Sequence, residues 1–175
     1  MDAAVRATLA GCRIREVATA LPETPLVQCA QRMHDEHVGC LVIVEERAGR
    51  RIPVGMLTDR DIAIEAVAFG IDPRVLDAAD LMTPHPAVAH EDDDLMTVLA
   101  TMRSQAVHRL PVVGREGELR GIVATDDLWA LFAAQIDELA RVAEAGRRRE
   151  RRRRAAPALA AEAIPKMDAG ASPAA

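Results

Sequence analysis

The sequence predicts an α+β protein built from two copies of one strand-helix-strand-strand-helix unit, and three observations carry that reading. The segment Gly55-Met56-Leu57-Thr58-Asp59-Arg60-Asp61 returns further along the chain as Gly121-Ile122-Val123-Ala124-Thr125-Asp126-Asp127. Leu26, Met33 and Val38-Gly39-Cys40-Leu41-Val42-Ile43-Val44 match Leu95, Met102 and Val107-His108-Arg109-Leu110-Pro111-Val112-Val113 at a constant offset of 69. Within each copy, helical spacing of apolar residues alternates with short β-branched runs. Duplication over such a length outweighs single motifs, because a repeat is a unit that needs its neighbour to complete a core.

In copy one, Leu26, Ala30 and Met33 mark a first helix, residues 38–44 and the segment around Gly55 mark two strands, and Ile62, Ala66 and Phe69 mark a second helix. In copy two, Leu95, Val98, Leu99, Met102 and Ala106 follow i, i+3, i+4, i+7 spacing. Leu110-Pro111-Val112-Val113 and Leu119-Arg120-Gly121-Ile122-Val123 are strands around a Gly-Arg-Glu-Gly-Glu turn, and Leu128, Leu131, Phe132, Ile136 and Leu139 resume the helical period. The offset falls from 69 to 66 because the connection over 45–54 is longer by three than the one over 114–120. Length changes of this kind belong in loops. A single copy of roughly 60 residues buries too little surface alone, so the two are expected to share one core.

Composition narrows the class. Half of the 175 residues are apolar and 28% are charged, with no 18-residue apolar stretch to span a bilayer. Trp129, Phe69 and Phe132 are the only aromatics, which leaves no stacking platform for nucleic acid bases. Cys12, Cys29 and Cys40 form no CxxC pair and are odd in number, which points to a reducing compartment, the cytoplasm. Leu9-Ala10-Gly11-Cys12 resembles a lipoprotein cleavage box, but its leader is acidic at Asp2 and its apolar stretch is too short for export. No Walker loop or nucleophile triad is present, and the single lysine is Lys166, so the chain reads as a non-enzyme.

With the repeat, the Gly-x-x-Thr-x-x-Asp segment, Leu81-Met82-Thr83-Pro84 and His108-Arg109-Leu110-Pro111-Val112-Val113 in view, the chain resembles the tandem cystathionine-β-synthase (CBS) domain proteins, whose paired repeats form a Bateman module. The resemblance spans residues 14–139 and implies a pseudo-two-fold module. It divides the chain into an N-terminal lead (1–13), repeat 1 (14–72), repeat 2 (73–142) and an Arg-rich, then Ala/Pro-rich disordered tail (143–175). It implies a regulatory module that binds an adenine nucleotide resembling AMP, ADP or ATP between its repeats. That nucleotide would be a regulatory ligand, with no cofactor required. A change of shape would signal occupancy to a protein partner. Thr58 would contact phosphate and Asp61 the ribose, with Arg60 in the same motif. Copy two keeps Asp127 but has Ala124 where the hydroxyl belongs. His108 and Arg109 would lie near the central cleft, facing phosphates. The two sites are therefore expected to be unequal.

Each feature also has a simpler reading. Thr58 and Asp61 stand at capping-box spacing, where each would satisfy backbone groups of a helix start. Glu91-Asp92-Asp93-Asp94, near His85 and His90, has metal-ligand chemistry, but it sits directly before a helix, where capping and the macrodipole favour acids. His34 and His37 lie three apart on the expected first helix without a carboxylate or Cys partner at ligand spacing, and are assigned to the surface or to partial burial.

Charge is divided along the chain. Residues 1–146 carry 14 Arg against 24 acids, whereas Arg147-Arg148-Arg149-Glu150-Arg151-Arg152-Arg153-Arg154 supplies nearly all the positive charge beyond them. The run would complement a helix C-terminus, or bind nucleic acid or an acidic partner. The competing reading of the whole chain is thus a dimeric CBS scaffold whose arginines make such contacts. Family resemblance also implies a homodimer through helices carrying Ile62, Ala66, Leu128, Leu131 and Phe132. Light scattering at micromolar concentration is expected to report about twice the 18.9 kDa chain mass; a monomer alone would oppose this.

Overall fold

A computed structural model describes Leu9 and residues 16–162; the rest of the N-terminal lead, Cys12 included, and Lys166 lie outside the described residues. The chain forms two compact units, residues 1–129 and 130–175. In the first unit, β1 (Thr19–Ala20) leads into α1 (Leu26–Asp35), and β2 (Cys40–Arg47) and β3 (Arg50–Thr58) form an antiparallel hairpin. A single turn, α2 (Asp59–Asp61), follows and widens into π turns over Ile62–Val67. The connection then passes through α3 (Ala78–Leu81) to β4 (Thr83–Pro84). β1 pairs in parallel with β2, and β4 antiparallel with β3, giving the order β1-β2-β3-β4.

The second copy repeats this plan with β5 (Ala89–His90), α4 (Leu95–Gln105), β6 (Arg109–Val113) and β7 (Leu119–Ala124), in a sheet of order β5-β6-β7. The duplication reaches into the irregularities. The β2–β3 ladder shifts register at Ile43/Val44 and the β6–β7 ladder at Val112/Val113, at equivalent positions. After α1 the chain turns left-handed at His37 (φ 52°), and after α4 at Ala106 (φ 53°). His34 therefore lies on α1 while His37 lies past its end, so the two do not share a helix as their spacing suggests.

Burial follows the same offsets. Ala20, Leu26, Cys29, Met33, Leu41, Ile43 and Leu57 form the core of copy one, and Ala89, Leu95, Val98, Met102, Leu110, Val112 and Val123 are buried at the matching positions of copy two. Side chains alternate between strand faces, yet every residue from Cys40 to Val44 is buried. Leu41 and Ile43 join the helix-side core. Val42 and Val44 point the other way and pack with Leu119 of copy two, flanked by Val17, Met56 and Ile122. Coverage on both faces explains why β2 reads as an unbroken apolar run. The core is aliphatic: Phe69 is 71% exposed, Trp129 73%. The second helix of copy one ends at Val67, before Phe69, and its i→i+5 bonds, such as Ala68 N–H to the Ala63 carbonyl (3.0 Å), wind it more widely than the expected α period.

Helix α5 (Thr125–Glu162) is 38 residues long. The arginine run thus belongs to a helix, where a tail without regular structure was expected from residue 143. Pairs at i, i+4 spacing support it: Arg141–Asp137 (3.2 Å), Arg148–Glu144 (3.0 Å) and Arg154–Glu150 (2.8 Å). No helix of the described residues is long and apolar enough to cross a membrane.

Two measurements check this packing. Ile43→Ala removes a fully buried side chain from the helix-side core and is expected to cost about 2–5 kcal/mol in urea unfolding. Met96→Ala, at an exposed site, should stay within about 0.5 kcal/mol of wild type. Burial also pushes the Cys29 thiol up, with Arg32 offsetting only part of the effect. Less thiolate is then present at neutral pH, so Cys29 should react with a maleimide far more slowly in the native protein than in urea.

Candidate functional site

β3 ends at Thr58, whose extended backbone (φ −114°, ψ 160°) turns the chain into α2. The Thr58 hydroxyl oxygen accepts a hydrogen bond from the Asp61 N–H (3.1 Å). Asp61 Oδ2 accepts in return from the Thr58 N–H (2.8 Å) and from the Thr58 hydroxyl (2.7 Å). This reciprocal box satisfies groups that the start of a helix leaves without partners. In copy two the Ala124 N–H donates to Asp127 Oδ2 (3.0 Å), so the backbone half of the device survives without the hydroxyl. The acid cluster before α4 also caps: Asp94 accepts from the Thr97 N–H (2.9 Å), and Asp93 from the His90 N–H (2.8 Å).

Two clefts form where the strand-to-helix turn of one copy meets the helix-to-strand turn of the other. The first, about 570 Å³, is lined by Thr58, Arg60 and Asp61 of copy one and by His108 and Arg109 of copy two. Five of the six residues singled out from sequence therefore converge on one cavity. The second, about 230 Å³, is lined by Ala124, Asp126 and Asp127 of copy two and by His37, Gly39 and Cys40 of copy one. Arg109 borders both clefts; its counterpart Cys40 borders only the second.

Their electrostatics differ. The first cleft carries Arg60 and Arg109 against Asp59 and Asp61, with His85 and His108 on its wall. Among the described residues, the second carries Arg109 against Glu16, Asp126 and Asp127. An anion entering the first meets balanced charge with two guanidinium forks; entering the second it meets an acidic wall. Arg109 is half-buried, and its guanidinium makes no hydrogen bond or ion pair with the described residues.

The linking segment contributes residues that belong to neither repeated motif. Thr83, Pro84, His85, Pro86 and Ala87 line the first cleft, as do Met56, Gln105, Val107 and Leu110. They arrive there because β4 pairs with β3, setting Pro84 opposite Gly55. A Cβ on Gly55 would collide with the Met82 sulfur and lie 3.2 Å from the Met82 Cβ, so any other residue there would have to displace the Met82 side chain. A glycine within a strand, which leaves room for a neighbouring side chain to pack close, is the signal the sequence carried for it.

The sequence model of the CBS domain matches residues 12–67 and again 78–128. The chain belongs to the CBS domain family. Its relatives include an uncharacterized protein of Methanopyrus kandleri, 32% identical over 114 residues, which are 65% of this chain and 57% of that protein. The CBS domain-containing protein YhcV of Bacillus subtilis is 32% identical over 117 residues, 65% of this chain and 76% of that one. This chain thus spans little more than half the length of the first relative and about three quarters of the second. Among solved structures, Hypoxic Response Protein I with two coordinated zinc ions superposes with a TM-score of 0.58 at 30% identity, covering 67% of this CBS chain and 92% of that one. A CBS domain protein of Pyrobaculum aerophilum complexed with AMP gives a TM-score of 0.59 at 24% identity, covering 65% and 84%. In the CBS pair described here, no group of three or more His, Cys, Asp or Glu gathers as a metal site among the described residues.

The capping geometry makes a direct prediction. Thr58→Ala is expected to lower stability by about 0.5–2 kcal/mol in urea unfolding without ligand. Thr58→Ser should keep most of that stability.

Proposed function

We propose that this CBS pair is a regulatory, non-catalytic module whose first cleft binds an adenine nucleotide and conveys occupancy to a protein partner by a change of shape. The observation that carries the reading is the convergence of Thr58, Arg60 and Asp61 from one repeat with His108 and Arg109 from the other. In this reading Arg60 and Arg109 pair with phosphate oxygens, joined by His85 and His108. Asp61 accepts from ribose hydroxyls, and Met56, Val107 and Leu110 hold the base. A cavity of about 570 Å³ is within the range of small-molecule sites. The AMP complex of a protein sharing this fold supports the choice of ligand.

The ranking of the clefts rests on charge and volume more than on the missing hydroxyl. Thr58 already donates to Asp61, so its use on a phosphate exchanges one charge-assisted bond for another. The gain is then the difference between the two, smaller than the about 1.5–3 kcal/mol of a new bond to a charged group. Arg109 has no such bond to give up. We further propose that the module works as a cytoplasmic homodimer.

Calorimetry and thermal shift with AMP, ADP and ATP test the reading. One dominant event is expected, lost in Asp61→Ala and little changed in Asp127→Ala. Arg109→Ala should weaken it tenfold or more, as about 1.4 kcal/mol is one decade. Two equal sites, or loss of the dominant event in Asp127→Ala alone, would overturn the ranking. The absence of any shift at millimolar nucleotide would overturn nucleotide binding itself.

A further inference from the structure

Helix α5 leaves a row of large apolar side chains wholly or partly uncovered. Trp129, Phe132, Ile136, Leu139 and Ala143 follow one another at spacings of 3, 4, 3 and 4, the a/d pattern of a helix that packs lengthwise on another, and Gly146 extends it. Ile136 is 66% exposed and Leu139 70% exposed, and Val142 beside them is also exposed. A helix with such a seam facing water lacks a partner. Charge along α5 is polarised as well. The stretch 125–146 holds Asp126, Asp127, Asp137, Glu138 and Glu144 against Arg141 alone, and the stretch 147–154 holds seven arginines and one glutamate. Arg148 and Arg154 are paired within the helix, whereas Arg147, Arg149, Arg151, Arg152 and Arg153 form no ion pair with the described residues.

We propose that α5 docks antiparallel on α5 of a second copy of this chain, so that the arginine run of each helix lies beside the acidic start of the other. Side-chain size sets the register. With Ile136 of each helix against Leu139 of the other, Phe132 faces Ala143 and Trp129 faces Gly146, so the largest groups meet the smallest. The same register sets residues 147–149 of one helix alongside residues 126–128 of the other, where Asp126 is exposed. Parallel pairing would instead bring the two arginine runs together, which like-charge repulsion disfavours. The run thereby acquires an acidic protein partner within the assembly itself, in a chain lacking the aromatic platforms that single-stranded nucleic acid favours. The inference rests on the two-copy assembly, and not on nucleotide binding.

Sedimentation equilibrium of the full chain at low salt tests it. Ile136→Gln with Leu139→Gln alters only exposed positions, so the fold should survive by circular dichroism while self-association weakens at least tenfold. Arg147→Glu with Arg149→Glu should also weaken association, and adding Asp126→Arg should restore much of it. A wild-type monomer would sink both this inference and the assembly beneath it. A dimer that tolerates the glutamine pair would sink this inference alone. Charge reversal that strengthens association would establish the parallel arrangement and overturn the proposal. So would unchanged association in every variant with salt-dependent capture of duplex DNA that requires residues 147–154.

Discussion

Strand β2 has to be covered on both faces, and the rest of the first unit is arranged around that requirement. Leu41 and Ile43 are covered by the helices of their own copy. Val42 and Val44 face the other way, where Val17 and Met56 of their own copy flank them and β7 of the second copy completes the cover through Leu119 and Ile122. At roughly 25 cal/mol per Å² of apolar surface, leaving one face of this apolar strand in water would be costly for a unit of about 60 residues. The clefts are a by-product of this docking. When the hairpins meet face to face, the strand-to-helix turn of each copy comes to the helix-to-strand turn of the other. The polar residues that line the clefts are thus drawn from segments far apart in the chain, without any loop devoted to the purpose.

Two docked copies of one unit would give equal clefts if the sequences were equal, but the copies differ at several of the positions that line them. Ala124 in place of Thr58 removes a hydroxyl from one box while leaving the Asp127 carboxylate on the backbone N–H. Arg109 in place of Cys40 adds a guanidinium that borders both cavities. The linker β4 has no counterpart beside copy two's hairpin among the described residues, and it walls only the first cleft. These changes act in one direction: the first cleft is larger and less acidic. Because Arg109 is common to both, a ligand that claims it in one cleft leaves less cationic charge for the other.

Much of this was legible in the chain because duplication is a pattern within one sequence. The constant offset placed the strands and the core positions, and the resemblance to CBS domain proteins implied that His108 and Arg109 lie near the cleft of Thr58 and Asp61. The parts that stayed hidden depend on geometry that residue types do not encode. His85 and its neighbours reach the cleft because β4 pairs with β3, a contact between segments well separated in sequence. The Thr58 hydroxyl satisfies a capping box and is a ligand donor by composition alone; only coordinates reveal that it is already engaged. The end of the second helix of copy one was misplaced because apolar spacing does not distinguish an α turn from a π turn. Helicity of the arginine run was masked by composition, since its support comes from i, i+4 glutamates that are thinly spread.

The central claim is that the first cleft, shared by the two repeats, is where an adenine nucleotide sits. A crystal structure of the chain grown with AMP tests this most directly. The account predicts phosphate density within hydrogen-bond reach of Arg109 and Arg60, and ribose beside Asp61, with that cleft filled before the one at Asp127. A nucleotide found only against Asp127, or outside both clefts, would contradict it.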